Sequence, residues 1–295
     1  MARPKLQKFS DFASKLLPHE TGYLLAVQHF QDDKKLAILQ QMDDNCRKIT
    51  NHEGCDEDLD KRKYSNLKQW IIEKLEEIDV DAYLEWIHHL DLQILTDTIT
   101  PEAEKDLLRQ IDRVDAKHFY FVKFYELAND FRDFLLIRLR FSEHAITDEF
   151  IQKHKEAYLH AKSVSEKIHQ ATLDITDQYS QESDHSRQWE DWLTSIFQDS
   201  EIDGHNRYMA LIRLTFLYFN YRQFEVLSKA YDQLDEWFSS GKYYSKRLLL
   251  NYYSNRLLLH SKFEDYERPS ILDISPSGKK TAITSITSTI FRLFC

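Results

Sequence analysis

The sequence predicts an all-α fold built as an array of antiparallel helix hairpins, and three observations predict it. Glycine and proline number only five each in 295 residues, and between His19 and Arg268 the only proline is Pro101. Both residue types break helices, so their scarcity over that span leaves long helices and short connections. Apolar residues make up 42% of the chain, enough for a sizeable core. They recur at three- and four-residue spacing, the period of one helix face.

Taken in order, residues 6–17 predict a first short helix, stopped near Pro18. Residues 20–30 and 32–49 predict the next two, with Leu24, Val27, Leu36, Leu39 and Met42 inside. Residues 50–63 are a polar loop with five acids and three bases, and it holds one of the few glycines, Gly54. Residues 64–78 and 80–98 read as a hairpin: Leu67, Ile71 and Leu75 form one stripe, and Tyr83, Ile87, Leu90 and Ile94 form the facing one. Thr100-Pro101-Glu102 starts a helix that ends near Val114. A hydroxyl caps it, proline sits where its missing N–H costs nothing, and an acid meets the positive end of the dipole.

Residues 119–139 are the most apolar segment, with apolar side chains on most sides. Lys123, Glu126, Asp130, Arg132 and Asp133 rule out a lipid-facing span. A helix apolar on most sides is buried among neighbours, so this one is expected to be the pillar of the N-terminal half. Thr147-Asp148-Glu149 reads as the start of a helix running to about Asp177, roughly 45 Å at 1.5 Å per residue. Residues 178–187 are a polar loop. Residues 189–197 are a short helix with Trp189, Trp192, Leu193 and Ile196 on one side.

Residues 206–240 read as two amphipathic helices with a tight turn near Tyr221–Gln223. Leu211, Leu214, Tyr218, Leu227, Tyr231 and Leu234 form the shared wall, and the small Thr215 lies at the crossing. A weaker copy follows at an offset of 39. Phe224-Glu225 matches Phe263-Glu264, and Leu211, Leu214 and Tyr218 match Leu250, Tyr253 and Leu257. The organisation expected is therefore an N-terminal hairpin array over residues 1–200, repeat-like helix pairs over 201–268, and an atypical tail over 269–295.

The tail carries nine Ser or Thr, five Ile and one acid, and a charge of +2 against −12 for the preceding residues. A repeat array needs a last helix with a polar outer face to cover its apolar wall, here Leu250, Tyr253, Leu257 and Phe263. A segment with Pro276 and Gly278, and few helix formers, does not supply one. The expectation is a truncated or frameshifted product of a longer repeat protein. The alternative is a native ending in which Ile283, Ile286, Ile290 and Leu293 form one short amphipathic helix.

The net charge of −10 disfavours non-specific binding to nucleic acid or an anionic membrane, and no basic stretch is interleaved with aromatics. No run of 18 uncharged apolar residues predicts a membrane span. Three cysteines, Cys46, Cys55 and Cys295, are an odd, sparse set that fits a reducing compartment. No apolar run near the N-terminus is long enough for a signal peptide, so cytoplasm is expected.

Chemistry is thinly signalled. Cys46, His52 and Cys55 are spaced C-x5-H-x2-C, whereas a structural zinc needs four ligands, usually as two close pairs. Glu85-x-x-His88 fits one half of a di-metal bundle motif, but neither Glu143-His144 nor His154 with Glu156 supplies the second. No G-x-S-x-G elbow and no Gly-rich phosphate loop are present. No catalytic residue, metal or cofactor is therefore expected.

Residues 206–237 resemble a tetratricopeptide repeat. Leu211, Leu214, Thr215, Tyr218, Phe224-Glu225, Leu227, Tyr231 and Leu234 fall where that family places its packing residues. Leu227 and Leu234 are larger than the usual alanines, no proline closes the second helix, and the copy has a 39-residue rather than a 34-residue offset. More broadly, the KRKYSNLK and DGHNRYMALIRLTF segments are similar to helical-repeat proteins of Bacteroidota that bring no known activity with them. The resemblance implies a concave groove, lined by each repeat's first helix, for a peptide or helix. Its positions would be Met209, Ile212, Phe216, Phe219 and Asn220, then Leu248, Asn251, Asn255, Leu258 and Leu259. The opposing reading buries their apolar members against the N-terminal helices.

The function expected is a non-enzymatic cytoplasmic scaffold or adaptor that binds a protein or peptide partner. The alternative is an enzyme or metal-binding bundle using the Glu85/His88 face. The two are distinguished by whether Glu85 and His88 meet a second carboxylate–histidine pair.

Overall fold

The computed structural model of the chain describes residues 6–48, 61–181 and 185–263, and every regular element among them is helical. The loop carrying His52, Gly54 and Cys55, and the tail 269–295, lie outside the described residues. The described residues fall into two units, one of residues up to Asp79 together with those from Tyr231 on, the other Val80–Ala230.

The first unit holds α1 (Gln7–Ala13), α2 (Pro18–Val27), α3 (Asp33–Arg47) and α4 (Lys61–Glu76). The second half of α11 (Phe224–Ser239) and α12 (Lys246–Phe263) complete it. Pro18 opens α2 at its first turn, and the Glu20 carboxylate accepts the Leu17 N–H at 2.7 Å. Asp32 caps α3 by accepting from the Lys34 N–H at 3.0 Å and pairs with Lys63 Nζ of α4 at 2.7 Å. The core gathers Phe9, Leu16, Leu24, Leu39, Leu67 and Ile71, so the apolar stripe of α4 is buried against α1–α3.

The second unit holds α5 (Val80–Leu95), α6 (Pro101–Ile111), α7 (Phe121–Ile137) and α8 (Phe141–Gln181). A 3-10 turn (His185–Trp189), α9 (Glu190–Gln198), α10 (Gly204–Asn220) and the first half of α11 follow. α7 packs against both α5 and α8, and α10 packs against α8 and α9. Thr100 caps α6 as its sequence predicts, its hydroxyl accepting from the Ala103 N–H at 3.3 Å. The wall of Leu211, Leu214, Tyr218, Leu227, Tyr231 and Leu234 is buried throughout. Its offset copy departs from that pattern at Leu250, which is 48% exposed.

Two expectations are corrected. α8 begins at Phe141, six residues before Thr147, and runs for 41 residues, about 60 Å at 1.5 Å per residue. Thr147 is interior and buried, and its hydroxyl donates to the Glu143 carbonyl at 2.9 Å instead of capping. The pillar is buried along most of α7, with Phe121, Phe124, Phe131 and Leu135 fully enclosed. Its end is not: Ile137 is 78% and Leu139 69% exposed.

The connections explain how a glycine-poor chain ends its helices. Asp97, Leu139, Arg222 and Gly241 all take positive φ, 59°, 57°, 55° and 78°. After each, the next N–H returns to the carbonyl five residues back, as in Thr98 to Gln93 at 2.8 Å and Arg140 to Leu135 at 3.0 Å. The same closure joins Gln223 to Tyr218 and Lys242 to Trp237, both at 2.8 Å. This is the Schellman closure, in which glycine is the usual residue because a Cβ is strained there. Only Gly241 follows that rule, and space demands it: a Cβ would lie 2.6 Å from Tyr23 Cε2 and 3.2 Å from Ile78 Cδ1.

Candidate functional site

The groove positions expected on α10 are half-buried: Met209, Ile212, Phe216, Phe219 and Asn220 all retain some solvent contact. Met209 lines a cavity of about 190 Å³ with Ile168, His169, Asn206 and Arg213. On α12, Asn251, Asn255 and Leu258 are also half-buried, whereas Leu248 and Leu259 are each 1% exposed and belong to the core. The α10 positions belong to the second unit and the α12 positions to the first.

The face carrying Glu85 and His88 is solvent-exposed on α5. His88 lies on the rim of a cavity of about 550 Å³ walled by α5, α7 and α8. Asp91 enters from α5, Glu126 and Asp130 from α7, and Lys155 and Tyr158 from α8. The rings of Tyr125 and Tyr158 stack at 4.2 Å with planes 12° apart. The Tyr158 hydroxyl donates to Glu126 at 3.3 Å, and Lys123 and Lys162 reach the same carboxylate at 2.9 and 3.2 Å. Burial by itself would raise the Glu126 carboxyl, but the two lysines hold it below the usual range. Asp130 goes the other way, raised first by burial and then by Asp91, Asp133 and Glu126. Among the described residues, no three His, Cys, Asp or Glu side chains converge as metal ligands.

In the first unit a second polar group is built from distant segments. Pro18 starts α2, and the first turn that follows places His19 and Glu20 inside. His19 Nδ1 lies 2.6 Å from the Tyr253 hydroxyl and Nε2 lies 2.9 Å from Asp235 Oδ1. The Tyr252 hydroxyl donates to the same Asp235 oxygen. Burial alone would raise Asp235, but the bonds from His19 and Tyr252 outweigh it and hold the carboxyl low. Glu20, fully enclosed, accepts from the Tyr244 hydroxyl at 2.6 Å and from Lys246 Nζ at 3.3 Å. Both tyrosines that face His19, and Tyr244, are raised, in each case chiefly by burial. His19 is bonded at both ring nitrogens and Glu20 at both carboxylate oxygens, so the group pins α2 to α11 and α12.

Cys46, weighed with His52 and Cys55 against the pattern of a zinc site, is a half-buried thiol that donates to the Leu16 carbonyl at 3.2 Å. Burial pushes it up to about 11, with Asp43 and Glu20 adding to the effect. A thiol that stays protonated at neutral pH is a poor nucleophile and ligand.

Among the described residues, exposed large apolar side chains gather at the corner between α7 and α8. Leu136, Ile137, Leu139, Phe141 and Ile146 all reach solvent there. The end of α5, with Leu92 and Leu95 also exposed, is tied to the corner by the Asp97–Arg138 ion pair. The Arg138 guanidinium lies 3.9 Å from the centre of the Phe134 ring, and Arg140 pairs with Glu104 at 2.9 Å, so charged groups rim the apolar patch.

The cavity and the corner were both missed by sequence reasoning. Glu126 and Asp130 stand four residues apart, on one face of a largely apolar helix, and that spacing is the signal that could have marked the cavity. Among the described residues, no helix is long and apolar enough to cross a membrane. Compared with known proteins, the chain matches no family model, no curated protein and no solved structure.

Proposed function

We propose that the chain is a non-enzymatic helical scaffold of tetratricopeptide-like build that acts in the cytoplasm by binding another protein. The observation that carries this reading is the α7–α8 corner. Five large apolar side chains within eleven residues of the chain are exposed there, Phe141 at 62% among them, and charged groups flank them. Monomeric proteins rarely expose large apolar patches, and a large patch rimmed by polar groups marks an interaction site. The buried wall of α10 and α11 at the positions of the tetratricopeptide likeness supports the architecture.

The test is a comparative pull-down read by mass spectrometry. The bait is the full chain beside the triple variant Ile137→Ser, Leu139→Ser, Phe141→Ser, with helicity checked by circular dichroism. A Phe216→Ser bait separates the corner from the α10 groove. A partner held by the wild type and lost from the triple variant is expected. An identical captured set from the wild type and the folded triple variant would overturn the reading.

A further inference from the structure

We propose that the cavity walled by α5, α7 and α8 is a binding site for a primary ammonium on a short aliphatic stem. The inference goes beyond the scaffold reading and does not depend on the apolar corner. At about 550 Å³ the cavity is within the range of small-ligand sites. Its charges are unequally satisfied. Glu126 already holds Lys123 and Lys162, so it needs nothing more. Asp91 and Asp130 face the same space and make no ion pair among the described residues. Asp130 is half-buried and sits among Asp91, Asp133 and Glu126, a like-charge crowding that a bound cation relieves.

The chemistry of that cation follows from the walls. A bare metal ion needs several ligands converging within about 2–2.5 Å of it, and no three candidate side chains among the described residues converge. An ammonium needs less: its three N–H donors serve separated carboxylates. The stacked Tyr125 and Tyr158 rings, with Ile87, Leu127 and Leu159, give the cavity an apolar wall that suits a methylene stem, beside the polar His88 and Asn129 and the Lys123 that Glu126 neutralises. Lys155, also on the lining, opposes a cation, and among the described residues it makes no ion pair that would neutralise it. Its removal is therefore expected to tighten binding.

Two sources carry this chemistry, a free diamine and a lysine side chain of a partner. Titration calorimetry on the full chain uses 1,5-diaminopentane for the first and Nα-acetyl-lysine methylamide for the second. The charge-free control is 1-pentanol. Saturable binding of either amine above the control is expected, and whichever probe binds more tightly identifies the source. Asp91→Asn and Asp130→Asn should each weaken it about tenfold, the loss of one charge-assisted contact. Lys155→Met should strengthen it. Each Asn variant removes like-charge crowding and no ion pair, and an Asn at 130 keeps an oxygen that can accept the bond from Asn129, so the melting temperature without amine should equal or exceed that of the wild type, and lost binding is not lost folding. Three results would each overturn the assignment: neither amine exceeding 1-pentanol, both Asn variants binding amine as the wild type does, or Lys155→Met weakening it. The pull-down at the α7–α8 corner involves none of these residues, so failure of one reading leaves the other standing.

Discussion

His19 and Asp235 lie 216 positions apart and share a hydrogen bond of 2.9 Å, with the Tyr253 hydroxyl closing the other side of the imidazole at 2.6 Å. The ring is also packed edge-on against Phe238 and Tyr252. Replacing His19 with Ala should lower the unfolding free energy by about 3 kcal/mol, because a bond to a carboxylate is lost and the Tyr253 hydroxyl stays buried without its imidazole. Asp235→Ala should cost about 2 kcal/mol on the same grounds. The double variant should cost less than the two together, a coupling that a double-mutant cycle in urea measures directly. A coupling near zero would mean that the contact contributes nothing to holding α2 on α11 and α12.

Phe131 is fully enclosed in α7, whereas Ile137, six residues on, is among the most exposed apolar side chains. Phe131→Ala should lower stability by about 3–5 kcal/mol through the cavity it leaves. Ile137→Ala should change it by no more than about 0.5 kcal/mol, as surface substitutions do. Denaturant midpoints of the two variants, compared at equal slope, check the contrast. A Phe131→Ala effect below about 1 kcal/mol would remove α7 from its place as the pillar.

Leu139 and Gly241 occupy the same left-handed closing position, with opposite consequences for substitution. Leu139→Gly should raise stability by about 1 kcal/mol, since an L-residue is strained at φ 57° and glycine is not. Gly241→Ala should lower it by about 2 kcal/mol or more, since the added Cβ meets the Tyr23 ring at 2.6 Å and keeps a strained φ. Thermal melts of both proteins give the sign at once. Equal and small shifts would show that the closures relax without cost.

Asp203 caps α10 from a buried position, accepting from the Asn206 N–H at 3.0 Å and from the Asn206 side-chain amide at 2.7 Å. Burial raises its carboxyl from 3.8 to about 6, against the lowering effect of those bonds. A carboxyl raised on folding stabilises most when protonated, so its contribution is full below pH 3.8 and is lost as pH rises through 6. The size of the loss is roughly 3 kcal/mol at about 1.4 kcal/mol per pH unit. Asp203→Asn does not titrate. The stability of the wild type minus that of Asp203→Asn should therefore fall by roughly that amount between pH 4 and pH 7. Urea curves at four pH values test it, and a flat difference would refute the buried charge.

Much of the helical plan was legible because it rests on local forces. The Thr100-Pro101-Glu102 start was read correctly since a cap involves only neighbouring residues. The Tyr221–Gln223 turn was read for the same reason, and Arg222 closes it at positive φ. Thr147 misled because a threonine before two acids has the pattern of a cap, yet a hydroxyl can equally bond back to the carbonyl four residues earlier inside a helix. The cavity was not legible, because Asp91, Glu126, Asp130 and Tyr158 come from three helices and no spacing along the chain joins them.

The sequence alone determined that the chain is helical, where most helices start, and which side chains of 206–234 are apolar and inward. Propensity, capping and 3.6-residue periodicity act within a few residues, so they can be read from the order of residues. Tertiary structure alone decided that Asp235, Tyr244 and Tyr253 meet His19 and Glu20 at the start of α2. It also decided that α7 buries Phe131 while exposing Ile137, and that Asp91 and Asp130 share one cavity. Those outcomes depend on which helix faces come together. Apolar burial, the force that selects among such packings, is non-directional and leaves no mark of the chosen partner in either segment.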